Sequence, residues 1–382
     1  MQKEPGLFIY PYAILLMNDN TPTIKRRRFL KYLLGGTAGL LASGWGIDRL
    51  LAHGLCRPGE WHGPVTDHFD GTQFFNPTVS LDYSTSAAMR WLTERTEKGH
   101  YPTVAQNAHR PQLAEAVEGR NWEVTMVNHS TMLIRCAGQN ILTDPVWSDH
   151  TSPLPIGPER KRPAGIPWEQ LPKIDVCLIS HDHYDHFDAP TLKRLYLRDN
   201  PLFIVPLGLR SLLAYHVEAE PRCEEKDWWE HVDVSPELRV VLTPALHWSK
   251  RYRDAASANR SLWCGFSLLV KNGPHIYFAG DTARCDWFRE IRQRLGAPTV
   301  ALLPIGMYKP AWIRKNHTNP ADAVEAFQQL EAQQAIACHF GTWQLANEGY
   351  DETLNDLATA LAQANIPAER FIAPENGQTL RG

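Results

Sequence analysis

The sequence predicts an α/β fold in which two mixed β-sheets pack face to face with helices outside. Two observations predict it: from residue 121 onward short β-rich runs follow one another in groups, and segments of helical periodicity separate the later runs. Strands joined partly by hairpins and partly through helices call for mixed sheets covered on their outer faces. The 382 residues can hold one large α/β domain with an N-terminal extension. With 43% hydrophobic and 21% charged residues the composition is globular, and disordered and fibrous classes are excluded.

Residues 1–53 read as a leader. The stretch KRRRFLK from Lys25 to Lys31 carries five positive charges, and YLLGGTAGLLAS (32–43) after it is apolar but too short for a membrane span. A basic region before a short apolar core fits an export signal, and Arg26-Arg27 followed one residue later by Phe-Leu-Lys resembles the twin-arginine type. The expected destination is the periplasm or the periplasmic face of the inner membrane, with the signal cleaved or kept as an anchor.

Residues 54–120, rich in polar residues, Pro and aromatics, read as a polar wrapping segment with one helix expected over 86–98. Residues 121–382 read as the domain proper. Its strands are expected at 122–127, 131–136, 140–143, 175–180, 202–205, 238–243, 263–270, 275–280, 300–305 and 335–340, with Gly- or Asn-containing turns such as 137–140 and 271–274 between neighbours. Helices are expected at 190–198, 207–216, 284–295, 320–333 and 351–364. Pro190 and Pro320, the latter after Asn319, sit in first turns, where a missing N–H costs nothing.

Lys and Arg number 39 against 42 Asp and Glu, a formal charge of -3, so no overall field invites nucleic acid. The seven cysteines lack CxxC spacing, and several sit in apolar runs. They read as buried thiols rather than a disulfide framework.

Chemistry concentrates after the apolar run DVCLI. There Ser180-His181-Asp182-His183-Tyr184-Asp185-His186 crowds four ligand-type side chains, His181, His183, Asp185 and His186, into six residues. One metal needs ligands converging from several directions and cannot easily take all four from so short a loop, whereas two adjacent ions can share them. His247, Asp281 and His339 each follow an apolar run in the same way. Strand ends on one sheet edge hold side chains still while loops admit substrate, so all seven can converge. An aspartate between two ions can give one oxygen to each, and nitrogen ligands with a few carboxylates favour Zn over Mg or Ca. Isolated histidines such as His216, His231 and His275 read instead as packed or capping residues.

The order HDHYDH, His247, FAGD ending in Asp281, and His339 resembles the metallo-β-lactamase superfamily, an αββα sandwich with a metal pair at one edge. Within it, LTDPVWSDHTSP (142–153), GPERKR (157–162), LISHDHYDHFD (178–188), VPLGL (205–209), TPALHWSKR (243–251), FAGDT (278–282), PIGMYKP (304–310) and CHFGTWQLANE (338–348) are similar to the N-acylphosphatidylethanolamine-hydrolysing phospholipase D family. The similarity runs over roughly residues 120–348. It implies two zinc ions, one on His181, His183 and His247, the other on Asp185, His186 and His339, with Asp281 bridging. It further implies that Asp185 and Asp281 belong to the catalytic centre and that Asp144 orients a ligand imidazole from behind. His317 would contact the substrate phosphate or protonate the leaving alkoxide, and Asn316, where a Gln is expected, would meet the substrate amide.

Two zinc ions ~3.5 to 4 Å apart lower the pKa of bound water to about 7 and offer positions to two phosphodiester oxygens, so no serine or cysteine nucleophile is required. The resemblance implies a zinc-dependent phosphodiester hydrolase that cleaves N-acylphosphatidylethanolamine-like lipids to N-acylethanolamine and phosphatidic acid. A same-fold hydrolase of a soluble lactone or cyclic phosphodiester stays open, as does a non-enzymatic metal-dependent envelope protein. Expected partners are a membrane phospholipid, a membrane surface touched peripherally and a second copy as a homodimer, with no nucleic acid. The aromatic positions Trp228, Trp229, Trp248, Trp263 and Tyr308, with Met307, either line a lipid groove or pack the core.

Overall fold

Alternation along the early strands divides their apolar residues between two cores. In β2 (Thr131–Cys136), Met132, Ile134 and Cys136 join one apolar cluster and Leu133 the other. Val176 and Leu178 of β4 (Val176–Leu178) likewise part from Cys177, and Ile204 of β5 (Leu202–Pro206) from Phe203 and Val205. Strands buried on both faces belong in the middle of a layered protein. The structure, a computed structural model, describes residues 54, 56–80, 98–102, 106–252 and 256–382. The expected leader 1–53 lies outside the described residues, as does the helix expected over 86–98 except for its last residue.

The first sheet runs in the order β14-β1-β2-β3-β4-β5-β6, where β1 is Trp122–Asn128, β3 Gln139–Thr143, β6 Cys223–Lys226 and β14 Thr379–Arg381. The second runs β13-β12-β11-β10-β9-β8-β7, with β7 His231–Ser235, β8 Leu238–Thr243, β9 Gly265–Val270, β10 His275–Phe278, β11 Val300–Pro304, β12 Gln334–Cys338 and β13 Phe371–Ile372. Neighbours joined by tight turns, such as β1-β2, β2-β3, β7-β8 and β9-β10, are antiparallel, and those joined through helices, such as β10-β11 and β11-β12, are parallel. On the first sheet's outer face, α1 (Ala189–Asp199) and α2 (Leu209–Val217) lay Leu192, Leu195, Leu209, Leu212 and Leu213 against Leu133, Cys177, Phe203 and Val205. On the second sheet's side, α3 (Trp287–Leu295), α4 (Pro320–Leu330) and α5 (Tyr350–Gln363) contribute Ile291, Val324, Phe327, Leu357 and Leu361 to the larger cluster. The result is an αββα sandwich, as expected.

Four strands are absent from the expected set: β6, β7, β13 and β14. They are the four outer edges of the two sheets. An edge strand faces solvent along one side and protects itself with short length and charge, so it carries no continuous apolar run. The β6 sequence Cys-Glu-Glu-Lys, half-buried throughout, shows this directly. Three expected runs, 175–180, 275–280 and 335–340, end early at Leu178, Phe278 and Cys338, and the residues beyond them leave the ladder as loops.

The described parts of the wrapping segment are tied into the same body. Phe69 and Phe74 pair across a bridge and are each 1% exposed. The Asn76 amide donates to the His247 carbonyl at 2.9 Å, and the Tyr101 hydroxyl accepts the Gly341 N–H at 2.9 Å. Trp228, Trp263 and Tyr308 take the core-packing role: the two indoles donate to the Trp263 and Ala245 carbonyls at 2.7 and 2.9 Å, and Tyr308 donates to Asp356 at 2.7 Å. All seven cysteines are free, five of them buried. Among the described residues no helix is long and apolar enough to cross a membrane.

Candidate metal centre

Loops that follow strand ends deliver the expected ligands to one place. The His181–His186 loop follows β4, His247 follows β8, Asp281 follows β10 and His339 follows β12. In one group, the Nε2 atoms of His181 and His247 lie 2.9 and 3.3 Å from His183 Nδ1. In the other, Asp185 Oδ2 lies 3.6 Å from His186 Nε2 and 3.5 Å from His339 Nε2. Asp281 stands between the groups, its Oδ2 at 2.9 Å from His339 Nε2, 3.2 Å from His186 Nε2 and 3.8 Å from His247 Nε2. All seven expected ligands thus converge. Asp182, the remaining acid of the motif, turns away: its carboxylate accepts the Lys250 N–H at 2.8 Å, and Arg251 holds its carbonyl at 2.6 Å.

The outer nitrogens of these imidazoles fix which inner atoms carry lone pairs. His186 Nδ1 lies 2.7 Å from Asp144 Oδ2 and His247 Nδ1 lies 2.8 Å from the Asn316 carbonyl. Both partners only accept, so both Nδ1 atoms carry the proton and both Nε2 atoms point lone pairs inward when the rings are neutral. Asp144 also accepts from the Ser180 N–H and hydroxyl, each at 2.7 Å, and Ser180 Oγ lies 2.8 Å from His181 Nδ1. The aspartate expected behind one imidazole therefore supports two.

Asp281 Oδ1, on the carboxylate that stands between the groups, is buried without a hydrogen-bond partner. An unsatisfied buried polar group costs roughly 1–3 kcal/mol, and a metal ion bound by it removes the deficit. The donor set of imidazoles with two carboxylates therefore fits metal.

The two groups differ electrically. Burial, aided by the neighbouring imidazoles, depresses His181 well below the ordinary value, His183 to about 3 and His247 to about 4. Burial also opposes charge on His186 and His339, but Asp281 and Asp185 outweigh it, raising His186 well above the ordinary value and His339 to about 9. Asp185 and Asp281, pushed up by burial, are nevertheless held well below the usual carboxylate range by His186 and its neighbours.

His317 lies on the loop between a short 3-10 turn, Ala311–Lys315, and α4, whose start is fixed by an Asn319–Asp322 capping box. Its ring is 5.1 Å from that of His247 and 5.3 Å from that of His339, with Nδ1 3.6 Å from Asp281 Oδ2. Burial depresses its pKa well below the ordinary value. A neutral imidazole there keeps one N–H to offer an oxygen. Asn316 acts in a way the sequence did not suggest, through its backbone carbonyl on His247.

Sequence reasoning missed His129, whose Nε2 lies 3.1 Å from Asp185 Oδ2. It follows the apolar β1 as His247 follows β8, so the strand-end signal was present without a dense motif beside it. Of the isolated histidines, His275 pairs with Ser267 at 3.0 Å, His216 packs near Phe187, and His231 lies exposed on edge strand β7. His183, Tyr184 and Asp185 are only half-buried, and the His183 ring stands 4.7 Å from that of Trp248.

Residues 139–340 match the model of the beta-lactamase superfamily domain. The N-acyl-phosphatidylethanolamine-hydrolyzing phospholipase D 1 of Caenorhabditis elegans is 35% identical over 266 residues, 66% of this chain and 74% of that protein. The mitochondrial N-acyl-phosphatidylethanolamine-hydrolyzing phospholipase D of Saccharomyces cerevisiae is 34% identical over 72% of this chain, which spans 60% of the yeast protein's length. An isothiocyanate hydrolase from Delia radicum gut bacteria shares the fold at TM-score 0.54 and 18% identity, over 68% of this chain and 98% of that one. With its sandwich and its strand-end ligand cluster, the chain belongs to the metallo-β-lactamase superfamily, and in sequence it is similar to the N-acylphosphatidylethanolamine-hydrolysing phospholipases D.

Proposed function

We propose that the chain is a two-zinc phosphodiesterase of the phospholipase D type, cleaving N-acylphosphatidylethanolamine-like lipids to N-acylethanolamine and phosphatidic acid. The observation that carries the reading is the convergence of seven ligand side chains and His317 on one site, in a chain 35% identical to a nematode phospholipase D. His181, His183 and His247 would hold one ion, Asp185, His186 and His339 the other, and Asp281 both. Such a pair supplies Lewis acidity for the phosphoryl oxygens and a nucleophile drawn from water.

The chain's own residues do the rest. Asp144 and the Asn316 carbonyl fix the tautomers of His186 and His247. His317 presents an N–H where the leaving oxygen departs. A bond from water oxygen to phosphorus forms and the bond from phosphorus to the ethanolamine oxygen breaks; the proton that the water gives up ends on the leaving oxygen, passed on by His317, whose neutral ring takes it up before handing it over. Lipid would approach past His183 and Trp248, with the protein resting on a membrane surface.

Zinc-loaded protein should release N-acylethanolamine and phosphatidic acid from vesicles containing N-acylphosphatidylethanolamine, and a chelator should abolish the turnover. Hydrolysis of a soluble lactone or cyclic phosphodiester with no lipid turnover would overturn the lipid reading while leaving the hydrolase. For location, we propose twin-arginine export to the periplasmic side, resting on Arg26-Arg27 before the apolar stretch 32–43. The double change Arg26→Lys with Arg27→Lys should leave the protein in the cytoplasm with its metal content unchanged. Fractionation that still finds it in the envelope removes the export claim.

A further inference from the structure

His129 occupies the turn between β1 and β2 at φ 46, in the left-handed region that a residue with a side chain seldom adopts. Its neighbours hold it there. The His129 N–H donates to Thr342 Oγ1 at 2.9 Å, and its carbonyl accepts the N–H of His339 at 2.9 Å. His339 is itself at φ 58. A turn of the first sheet is thus bonded to the main chain of a ligand that follows the second sheet. Asn128 steadies the turn by donating to the Val146 carbonyl at 3.0 Å.

The ring is as constrained as the backbone. It is 2% exposed, lies 4.1 Å from the His339 ring and meets Trp343 edge-on at 5.3 Å. Nε2 faces Asp185 Oδ2 at 3.1 Å, while Nδ1 is buried without a partner. A carboxylate oxygen only accepts, so a proton on Nε2 makes this a hydrogen bond and leaves Nε2 without the lone pair that metal ligation needs. His129 lies in the same cluster of possible ligand atoms as Asp185, His186 and His339, but those three with Asp281 would supply four ligands without it.

We propose that His129 is a positioning residue that donates to Asp185 Oδ2 and holds that carboxylate in the orientation that binds metal, so that the Asp185, His186 and His339 group depends on it and the His181, His183 and His247 group does not. The proposal rests on the two-metal reading above. Because the Asp185 side chain is 14% exposed against 1% for Asp281, it is the less enclosed carboxylate of the pair and the one freer to swing away. A rigid donor behind it removes that freedom before the metal arrives.

The test measures zinc stoichiometry and affinity by chelator competition, with no reliance on turnover. Wild-type protein should bind two equivalents. His129→Leu, which fills the volume without a donor, should weaken one of the two sites by about 10- to 100-fold and leave the other unchanged. His129→Gln, which keeps an N–H donor but is a poor zinc ligand, should recover most of the loss. If His129→Gln is as weak as His129→Leu, His129 is a ligand and the positioning role fails. If both variants hold both metals as tightly as wild type, the role is packing alone and the proposal also fails. Wild-type protein that binds fewer than two equivalents overturns the two-metal reading instead. Should His129→Leu prove insoluble, His129→Gln compared with His129→Asn, which keeps the donor at shorter reach, carries the same comparison.

Discussion

The two ligand groups of the centre are built from similar side chains but held in different states. His181, His183 and His247 face one another with Asp281 only at their edge, 3.8 Å from His247 Nε2, and burial outweighs it and leaves them neutral. His186 and His339 sit among Asp144, Asp185 and Asp281 and are held as cations. Without metal, the first group is a set of open lone pairs and the second a set of closed ion pairs. The difference teaches that burial alone prepares an imidazole for metal, whereas burial beside carboxylates stores a proton that the metal must displace.

Asp281 is where the comparison is most easily broken, because its Oδ2 reaches imidazoles of both groups. Asp281→Asn should drop zinc below about one equivalent and abolish turnover, since a neutral amide neither bridges two cations nor offsets their charge. Retention of two equivalents would show that the groups bind independently. His317 also lies between the groups, at 5.1 and 5.3 Å from one ring of each, yet it should behave oppositely. His317→Ala should keep both metals and lose on the order of 10²- to 10⁴-fold in turnover, the usual range for a positioned acid. Near-normal turnover would return His317 to a packing role.

Acidity sharpens the comparison without mutation. His339 titrates at about 9 and His186 is also raised, so both carry protons at pH 7 that zinc must expel. Calorimetry in buffers of different ionisation enthalpy should detect about two protons released as the second group fills and close to none for the first. In metal-free protein the signs separate as well. The folded pKa of His183 at about 3 and of His247 at about 4 lies below the ordinary 6.5, so the unfolded chain takes up protons that the folded one refuses, and this group loses stability as pH falls from about 7 to 4. His339, raised above 6.5, contributes stability fully present below 6.5 and lost as pH rises through about 9. Equal proton release from the two groups would contradict the asymmetry.

The ligands were legible because each follows an apolar run that breaks at a polar residue, and that break has a sequence signature. The central strands were legible for the same reason, and the sheet edges were not: β6 and β7 are polar, and β13 and β14 are only two and three residues long. What supports the ligands was harder to read. The Asn316 carbonyl on His247 is a backbone atom and leaves no mark on residue type. His129 meets Asp185 from 56 positions away in the chain, through a turn whose local sequence Asn-His-Ser looks like any polar hairpin turn. Asn316 was expected to act through its amide, on a likeness that reports residue type and says nothing about main-chain bonds.

The smallest effect separates the supports of the two groups. The Ser180 hydroxyl has one proton and two partners, the Asp144 carboxylate at 2.7 Å and His181 Nδ1 at 2.8 Å. The carboxylate can only accept, so Ser180 donates to Asp144 and accepts from His181. One relay thus runs from His181 through Ser180 to Asp144, and His186 meets the same carboxylate directly. Asp144→Asn removes charge from behind both groups and should weaken both metal sites, by about 10- to 100-fold at the His186 side. Ser180→Ala cuts only the relay to His181. Losing one hydrogen bond of about 1 kcal/mol should weaken the His181 site roughly fivefold and leave the His186 site within about twofold of wild type. Chelator competition on the two variants reads both numbers. If Ser180→Ala instead weakens the His186 site as much as Asp144→Asn does, then Asp144 depends on the Ser180 hydroxyl for its own placement, and the groups share one support rather than two.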